Sequence, residues 1–476
     1  MLASRLFRGL AALVLWCGSF SVAWASHVLG ADITYEYAGT AASPNQYRVT
    51  ARLFRDLGSA VSDPAVTLAC GRNGCSATAA GSFTTTLNRS STVMISANCN
   101  STPVDYELNT YEGLVVLPPA SWTLSAELQN RANGVVNVIN SQTQSIFVKA
   151  ELNNTGSIVN SSPRFLVDRL IQLTSSQVQQ QYSIGAFDRE GDSLVYQLVQ
   201  PLANPTPAAP CGTPTTGALA PHFQANAATG ELTTVAGPTQ QGRYALAARV
   251  DEYRRLNGTW QQIGSITRDM TYFVRAGTNQ PPVFTRVALA SAPGGQLLGQ
   301  TIRVNPGQLL ALWLTDADAG QALALLSSLP GLVPGVTFQD LGSWQALLSW
   351  QVPASFPLGR YQLAATALDD YCAAPAFTVA TIPVLVTQQV LAARTQQALT
   401  QPPFPVPFRE VVCFQFARQG IQPVTVTDAL GRQVARLETA ADGSVVWRPA
   451  TALPAGLYFA RNSAGTQVAR LQYSSH

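Results

Sequence analysis

Apolar and polar residues alternate in short runs along most of the chain. Ile33-Thr34-Tyr35-Glu36-Tyr37 and Tyr47-Arg48-Val49-Thr50-Ala51-Arg52-Leu53 change face at every residue, as a half-buried strand does. Thr271-Tyr272-Phe273-Val274 and the run from Thr378 to Val386 are rich in β-branched residues and are bounded by Gly, Pro or polar positions. Long helical periodicity is absent. The run from Gln388 to Thr400 is the one stretch that reads as helix-compatible, and it is taken as a linker. Short strands with turn residues between them predict an all-β chain of packed sandwiches or barrels.

Clusters of Asn, Gly and Pro punctuate this pattern. They fall at Asn153–Gly156 running into Asn160–Pro163, at Gly277–Pro282, and at Gln401–Pro407. They divide the 476 residues into a leader (1–25), a first β-sandwich (26–155), a second (156–276), a third (277–388) and a smaller terminal piece with its linker (389–476). Pieces of roughly 100 residues are the size of immunoglobulin-like sandwiches.

The leader carries its own signal. Arg5 and Arg8 precede an apolar stretch from Gly9 to Phe20, and Ala23-Trp24-Ala25 follows. A positive start, a short apolar run and an A-x-A end predict a secretory signal peptide, cleaved between Ala25 and Ser26. The run is shorter than the ~20 residues a bilayer requires, and no later segment is long enough either, so a membrane-spanning chain is not expected. Trp16 before Cys17 does not fit a lipid-attachment site. Export makes disulfides expected for the six remaining cysteines, Cys70, Cys75, Cys99, Cys211, Cys372 and Cys413. The favoured reading is a local bridge within the trio Cys70, Cys75 and Cys99.

Charge and missing motifs narrow the function. The formal net charge is +3, and Lys149 is the only lysine. No basic run exceeds two residues, so nucleic acid is not an expected partner. The histidines are His27, His222 and His476, and no H-E-x-x-H, G-x-S-x-G or G-x-x-x-x-G-K-[ST] occurs. His222 reads as a structural residue, and no enzyme is expected. Trp122, Trp260, Trp313, Trp344, Trp350 and Trp447 could stack on sugars, although most sandwich tryptophans belong to the core.

One loop carries candidate chemistry. In Asp188-Arg189-Glu190-Gly191-Asp192-Ser193-Leu194, alternate carboxylates flank a glycine. Such a loop suits calcium, which takes six to eight oxygens in flexible geometry; a solvated turn is the competing reading. The stretch resembles the D-x-D-G-D-x-L entry of cadherin-like and PKD-like repeats, as does Leu314–Gly320, and Asn279–Phe284 resembles their N-x-x-P-x-F linker. The resemblance implies tandem immunoglobulin-like or cadherin-like sandwiches. It places Asp188, Glu190 and Asp192, with Asp251 or Glu252, as candidate calcium ligands.

Two further resemblances follow. Ser26–Tyr35, Tyr47–Asp56, Leu117–Trp122 and Asn160–Phe165 together resemble the N-terminal module of exported Bacteroidetes proteins labelled gliding-motility-associated. Leu57 stands where that family tends to carry a cysteine, so its disulfide pairing is not transferred. Val424–Val434, with its D-x-x-G-R element, and Leu453–Arg461, with L-P-A-G-x-Y, resemble a type A sorting domain of the type IX secretion system. This implies an outer-membrane translocon and a sortase as partners, with Gly431, Leu453, Pro454, Gly456 and Tyr458 as recognition residues. The expected protein is therefore non-enzymatic, secreted or displayed on the outer cell surface, and made for adhesion or envelope structure. Surface polysaccharide or other cell-surface proteins are its expected contacts. The alternative is a carbohydrate-binding or polysaccharide-processing accessory. The family label implies no role in motility itself.

Overall fold

The computed structural model describes residues 28–474 apart from 59–62, 77, 96–105, 130, 176–178, 204–210, 236–239, 278, 319, 372–374, 389–398, 418–419, 429–430, 451–452 and 464–466. Ala23, Ala25, Ser26, Cys99 and most of the expected linker helix lie outside the described residues. Regular structure among the described residues is all strand, with three short 3-10 turns. The chain forms two compact units, Met1–Gln388 and Gln389–His476.

The first unit begins with β1 (Val28–Tyr37), β2 (Gln46–Asp56), β3 (Ala65–Arg72), β4 (Phe83–Ile95), β5 (Tyr106–Val116), β6 (Ser121–Leu128) and β7 (Ile146–Asn153), in the sheet order β1-β2-β5-β4-β3-β6-β7. A long hairpin, Gly242–Leu256 and Thr259–Arg275, turns at Asn257-Gly258, both at positive φ (50° and 83°), as a tight two-residue hairpin loop requires. One edge of Thr259–Arg275 pairs first with β7, Gly264 opposite Leu152, and then with β1, Gly30 opposite Met270. The seven-stranded sheet thus rolls until both its edge strands meet the same strand, and neither edge is left open. At Gly30 a Cβ would lie 2.6 Å from the Asp269 carbonyl oxygen, so the seam closes only over glycine.

This seam corrects the boundary expected at 155/156. Residues 28–153 and 242–275 share one sheet and are not separate sandwiches. The reason lies in β1, whose residues Val28 to Tyr35 are buried on both faces. Its backbone N–H and C=O groups are buried with it and need partners along both edges, and Thr259–Arg275 supplies the second edge. Charges are buried with it. Asp32 accepts from Arg52 Nε at 3.0 Å and lies 2.6 Å from Arg268 Nη2, while Arg131 Nη2 donates to Asp269 Oδ2 at 2.6 Å.

Residues 283–386 form two facing four-stranded sheets, one containing Leu309–Ala317 and the other Gly359–Asp369. Leu310, Leu312 and Leu314 point inward in strict alternation, with Trp350 and Tyr361 in the same core. This sandwich packs onto the preceding body. The rings of Phe187 and Tyr361 lie 5.5 Å apart, and those of Tyr182 and Phe377 lie 5.0 Å apart. The Ser328 hydroxyl donates to the Leu166 carbonyl.

The second unit is a smaller sandwich. A three-stranded sheet holds Val412–Gln415 and Ser444–Trp447, and a four-stranded sheet holds Pro423–Asp428 and Gly456–Asn462. Phe408, Phe414, Trp447, Tyr458 and Leu471 fill its core.

Candidate metal centre

The Asp188–Leu194 loop precedes the strand Ser193–Val199, which pairs with Gly242–Leu256. The Asp192 backbone N–H donates to Asp188 Oδ1 at 2.7 Å, closing the loop on itself. Pairing brings the loop beside Glu252, and one oxygen each of Asp188, Asp192 and Glu252 lies within 4.8 Å of the others. All three side chains are buried. Arg254 reaches Asp192 through two bonds, Nε to Oδ1 at 2.8 Å and Nη2 to Oδ2 at 2.5 Å, and also donates to Asn160 Oδ1 at 2.6 Å. Asn160 in turn donates to Glu252 Oε2 at 2.8 Å.

This arrangement fits a cation. Asp188 Oδ2 and Glu252 Oε1 are buried without a hydrogen-bond partner, as is Glu190 Oε2 beside them. Burial, then the nearby Asp192 and Glu190 carboxylates, push the Asp188 pKa up to about 7. Burial and then Asp188 hold Glu252 well above the usual carboxylate range. Carboxylates that resist ionisation this strongly take either protons or a positive ion. An all-oxygen set of this kind suits a hard divalent cation such as calcium. Asp188, Asp192 and Glu252 would hold it, with Glu190 alongside. The ion would tie the loop to the hairpin strand, which is a structural role.

Of the residues expected from the sequence, the structure brings Asp188, Asp192 and Glu252 together, sets Glu190 close enough to raise the Asp188 pKa, and leaves Asp251 out. Asp251 faces the other side of the sheet. It accepts from Arg249 Nε at 2.7 Å, Gln197 Nε2 at 2.7 Å and Gln262 Nε2 at 2.8 Å. Neighbouring strand residues point to opposite faces, so only one of Asp251 and Glu252 can reach the loop. The loop's far side meets the third sandwich. Gly191 lies at φ +83°, and a Cβ there would come within 2.5 Å of the Tyr361 hydroxyl.

The disulfide also differs from expectation. Cys75 joins Cys211, 136 residues away, with Cα atoms 4.8 Å apart. Cys70 is free and buried on β3, its thiol pushed up to about 12 by burial. A strand places Cys70 inward, whereas Cys75 lies in the turn beyond, so the two cannot share a bridge. His222 Nδ1 lies 2.9 Å from the Tyr272 hydroxyl and its ring packs on Tyr244, a structural setting.

The residues expected to be read in sorting have folding work. Gly431, at φ +82°, turns a hairpin in which Arg432 Nε donates to Asp428 Oδ2 at 2.7 Å. Leu453 packs against the core of the second unit, Pro454 and Gly456 are exposed, and Tyr458 is buried. The Tyr458 hydroxyl donates to the Pro454 carbonyl, four residues upstream, at 2.6 Å. The same corner occurs twice more. Tyr361 bonds Pro357 at 2.8 Å and Tyr244 bonds Gln240 at 2.9 Å, each again with glycine two residues before the tyrosine. G-x-Y thus opens a strand at three places among the described residues.

No family model matches the chain, and no curated protein matches it. Among solved structures, human protocadherin-24 EC1-2 is 16% identical and covers 48% of this chain and 100% of its own, at a TM-score of 0.17. Mouse cadherin-23 EC22-24 is 12% identical over 64% of this chain and 90% of its own, at 0.16. Drosophila OTK extracellular domains 3-5 are 11% identical over 66% and 97%, at 0.16. At such scores the likeness carries nothing about function.

Proposed function

We propose that this chain is a non-enzymatic β-sandwich protein of the outer cell surface or the medium, a stiff scaffold for adhesion or envelope structure. The observation that carries the reading is a single hydrophobic core running from Val28 to Val386 through the rolled sheet, the Asp188 loop and the third sandwich. A body braced in this way transmits load without hinging between its parts. The Cys75–Cys211 bridge fits an oxidising compartment outside the cytoplasm. A calcium ion at Asp188, Asp192 and Glu252 would stiffen the joint further.

The export route belongs to the same proposal. The signal peptide rests on the residue pattern of the leader, and the type IX sorting domain on the sequence resemblance. The separate compact unit Gln389–His476 supports them, since a receptor-read address must present its own folded surface. Fractionation of the native host with mass spectrometry of the termini tests this. The expected product is found on the surface or in the medium, begins at Ser26 and lacks roughly the last eighty residues. A periplasmic product ending at His476 would overturn the route.

A further inference from the structure

On the face of the sheet opposite the carboxylate cluster, the hairpin arm peels away from β7 and leaves an open groove of about 520 Å³. Its floor is Leu152, Ile263 and Gly264. Its walls are polar but nearly uncharged in sum. Glu151 is neutralised, by Lys149 Nζ at 2.7 Å and Arg249 Nη2 at 3.1 Å, with Ser265 donating at 2.8 Å.

The remaining polar wall residues are Ser121, Thr123 and three amides, each amide held by one end. Asn153 Oδ1 accepts from the Thr155 hydroxyl at 2.6 Å, Gln262 Nε2 donates to Asp251 at 2.8 Å, and Asn73 Oδ1 accepts from the Ser121 N–H at 3.3 Å. All three side chains belong to the lining of the groove. The Asn73 wall is anchored by the adjoining Cys75–Cys211 bridge. These groups therefore sit on rigid strands and a tethered turn, already oriented before any ligand arrives.

Two residues before Gln262 on the same strand, outside the lining itself, stands an exposed aromatic ring. Trp260 is 61% exposed. Tyr253 lies opposite Gln262 and Arg255 opposite Trp260 in unbroken register, so Trp260 and Gln262 share the groove-side face. Two residues along a strand is roughly 7 Å, the reach of one ring-sized group. An exposed indole next to fixed amide donors and acceptors, without net charge, matches the chemistry of a sugar: an apolar face to stack and hydroxyls to bond.

We propose that this groove binds an uncharged polysaccharide, with Trp260 as the stacking platform and Asn73, Asn153 and Gln262 as the hydroxyl readers. The proposal gives the adhesion reading a ligand class and rests on that reading only for where the glycan is met. The test is affinity electrophoresis of the purified full chain in gels containing dextran, xylan, a mixed-linkage β-glucan or, as the acidic comparison, alginate, backed by tryptophan-fluorescence titration. The wild-type chain is expected to be retarded by at least one neutral polymer. Trp260→Ala should weaken that binding tenfold or more, and Gln261→Ala, on the opposite face, should leave it unchanged, both variants melting as the wild type does. No retardation by any neutral polymer, retardation by alginate alone, or binding that survives Trp260→Ala would each overturn it. None of these outcomes alters the result of the fractionation experiment, so the two readings fail separately.

Discussion

Asp251 and Glu252 are consecutive residues on one strand, yet they serve opposite faces of the sheet. Asp251 joins Arg249, Gln197 and Gln262 beside the groove, whereas Glu252 is fully buried with Asp188 and Asp192. Substituting each separates the two environments. At pH 8, calcium added to chelator-treated protein should raise the melting temperature by several degrees, since a ligand at a hundred times its Kd stabilises by about 2.7 kcal/mol. Glu252→Gln should abolish that rise while making the calcium-free protein more stable at pH 8, because a buried carboxyl with a raised pKa costs stability above its unfolded pKa. Asp251→Asn should leave the rise intact. Calorimetric titration with calcium reads the same contrast directly, and equal effects of the two variants would count against the site.

A second prediction concerns acidity in the third sandwich. Asp316 is 2% exposed at the end of an apolar stripe, and burial pushes its pKa up to about 6 from 3.8. An acid with a raised pKa contributes stability that is full below about pH 4 and is lost as pH rises through 6. Asp316→Asn should therefore be neutral near pH 4 and stabilising by about 1–3 kcal/mol at pH 8. Urea midpoints at the two pH values check it.

Much of the fold was legible, and what escaped did so for identifiable reasons. Alternation revealed the strands at Ile33–Tyr37 and Tyr47–Leu53 because side-chain direction is a local property. Pairing is not local. Nothing near Gly30 announces Met270 as its neighbour, so the rolled sheet read as two domains. The acidic loop was visible from its glycine and its spacing. Of the two alternatives for its further partner, Glu252 shares the face of Leu246, Ala248 and Val250, whereas Asp251 shares that of Arg249, so strand phase alone points to Glu252. The G-x-Y at Tyr458 recurs at Tyr244 and Tyr361 with the same hydroxyl-to-carbonyl bond four residues upstream, so part of the terminal motif is a folding corner.

Thiol chemistry supplies a third test. Peptide mapping without reduction should recover the Cys75 and Cys211 peptides joined, and native alkylation should mark Cys413 but spare Cys70. Cys75→Ser should destabilise by roughly 3–5 kcal/mol, as expected when a long loop is released. Recovery of Cys75 as a free thiol from exported protein would refute the pairing.

The buried pair Arg131–Asp269 gives a fourth. The guanidinium is wholly inaccessible and its partner nearly so. Arg131→Met leaves Asp269 charged and uncompensated, and should cost about 3–5 kcal/mol. Replacing both residues, Arg131→Met with Asp269→Leu, should recover much of that loss, as measured by denaturant midpoints in a double-mutant cycle.

The seam at Thr259–Arg275 also sets a schedule. The Asp32–Arg268 contact spans 236 positions, so a chain delivered N-terminus first, from a ribosome or through a membrane pore, presents β1 long before its second neighbour arrives. Loop-closure entropy makes such late pairings slow. During that wait β1 and β7 are open, hydrogen-bond-hungry edges, and any fragment that stops before Gly264 keeps both open permanently. The strand that closes the sheet is therefore delivered after every strand it closes.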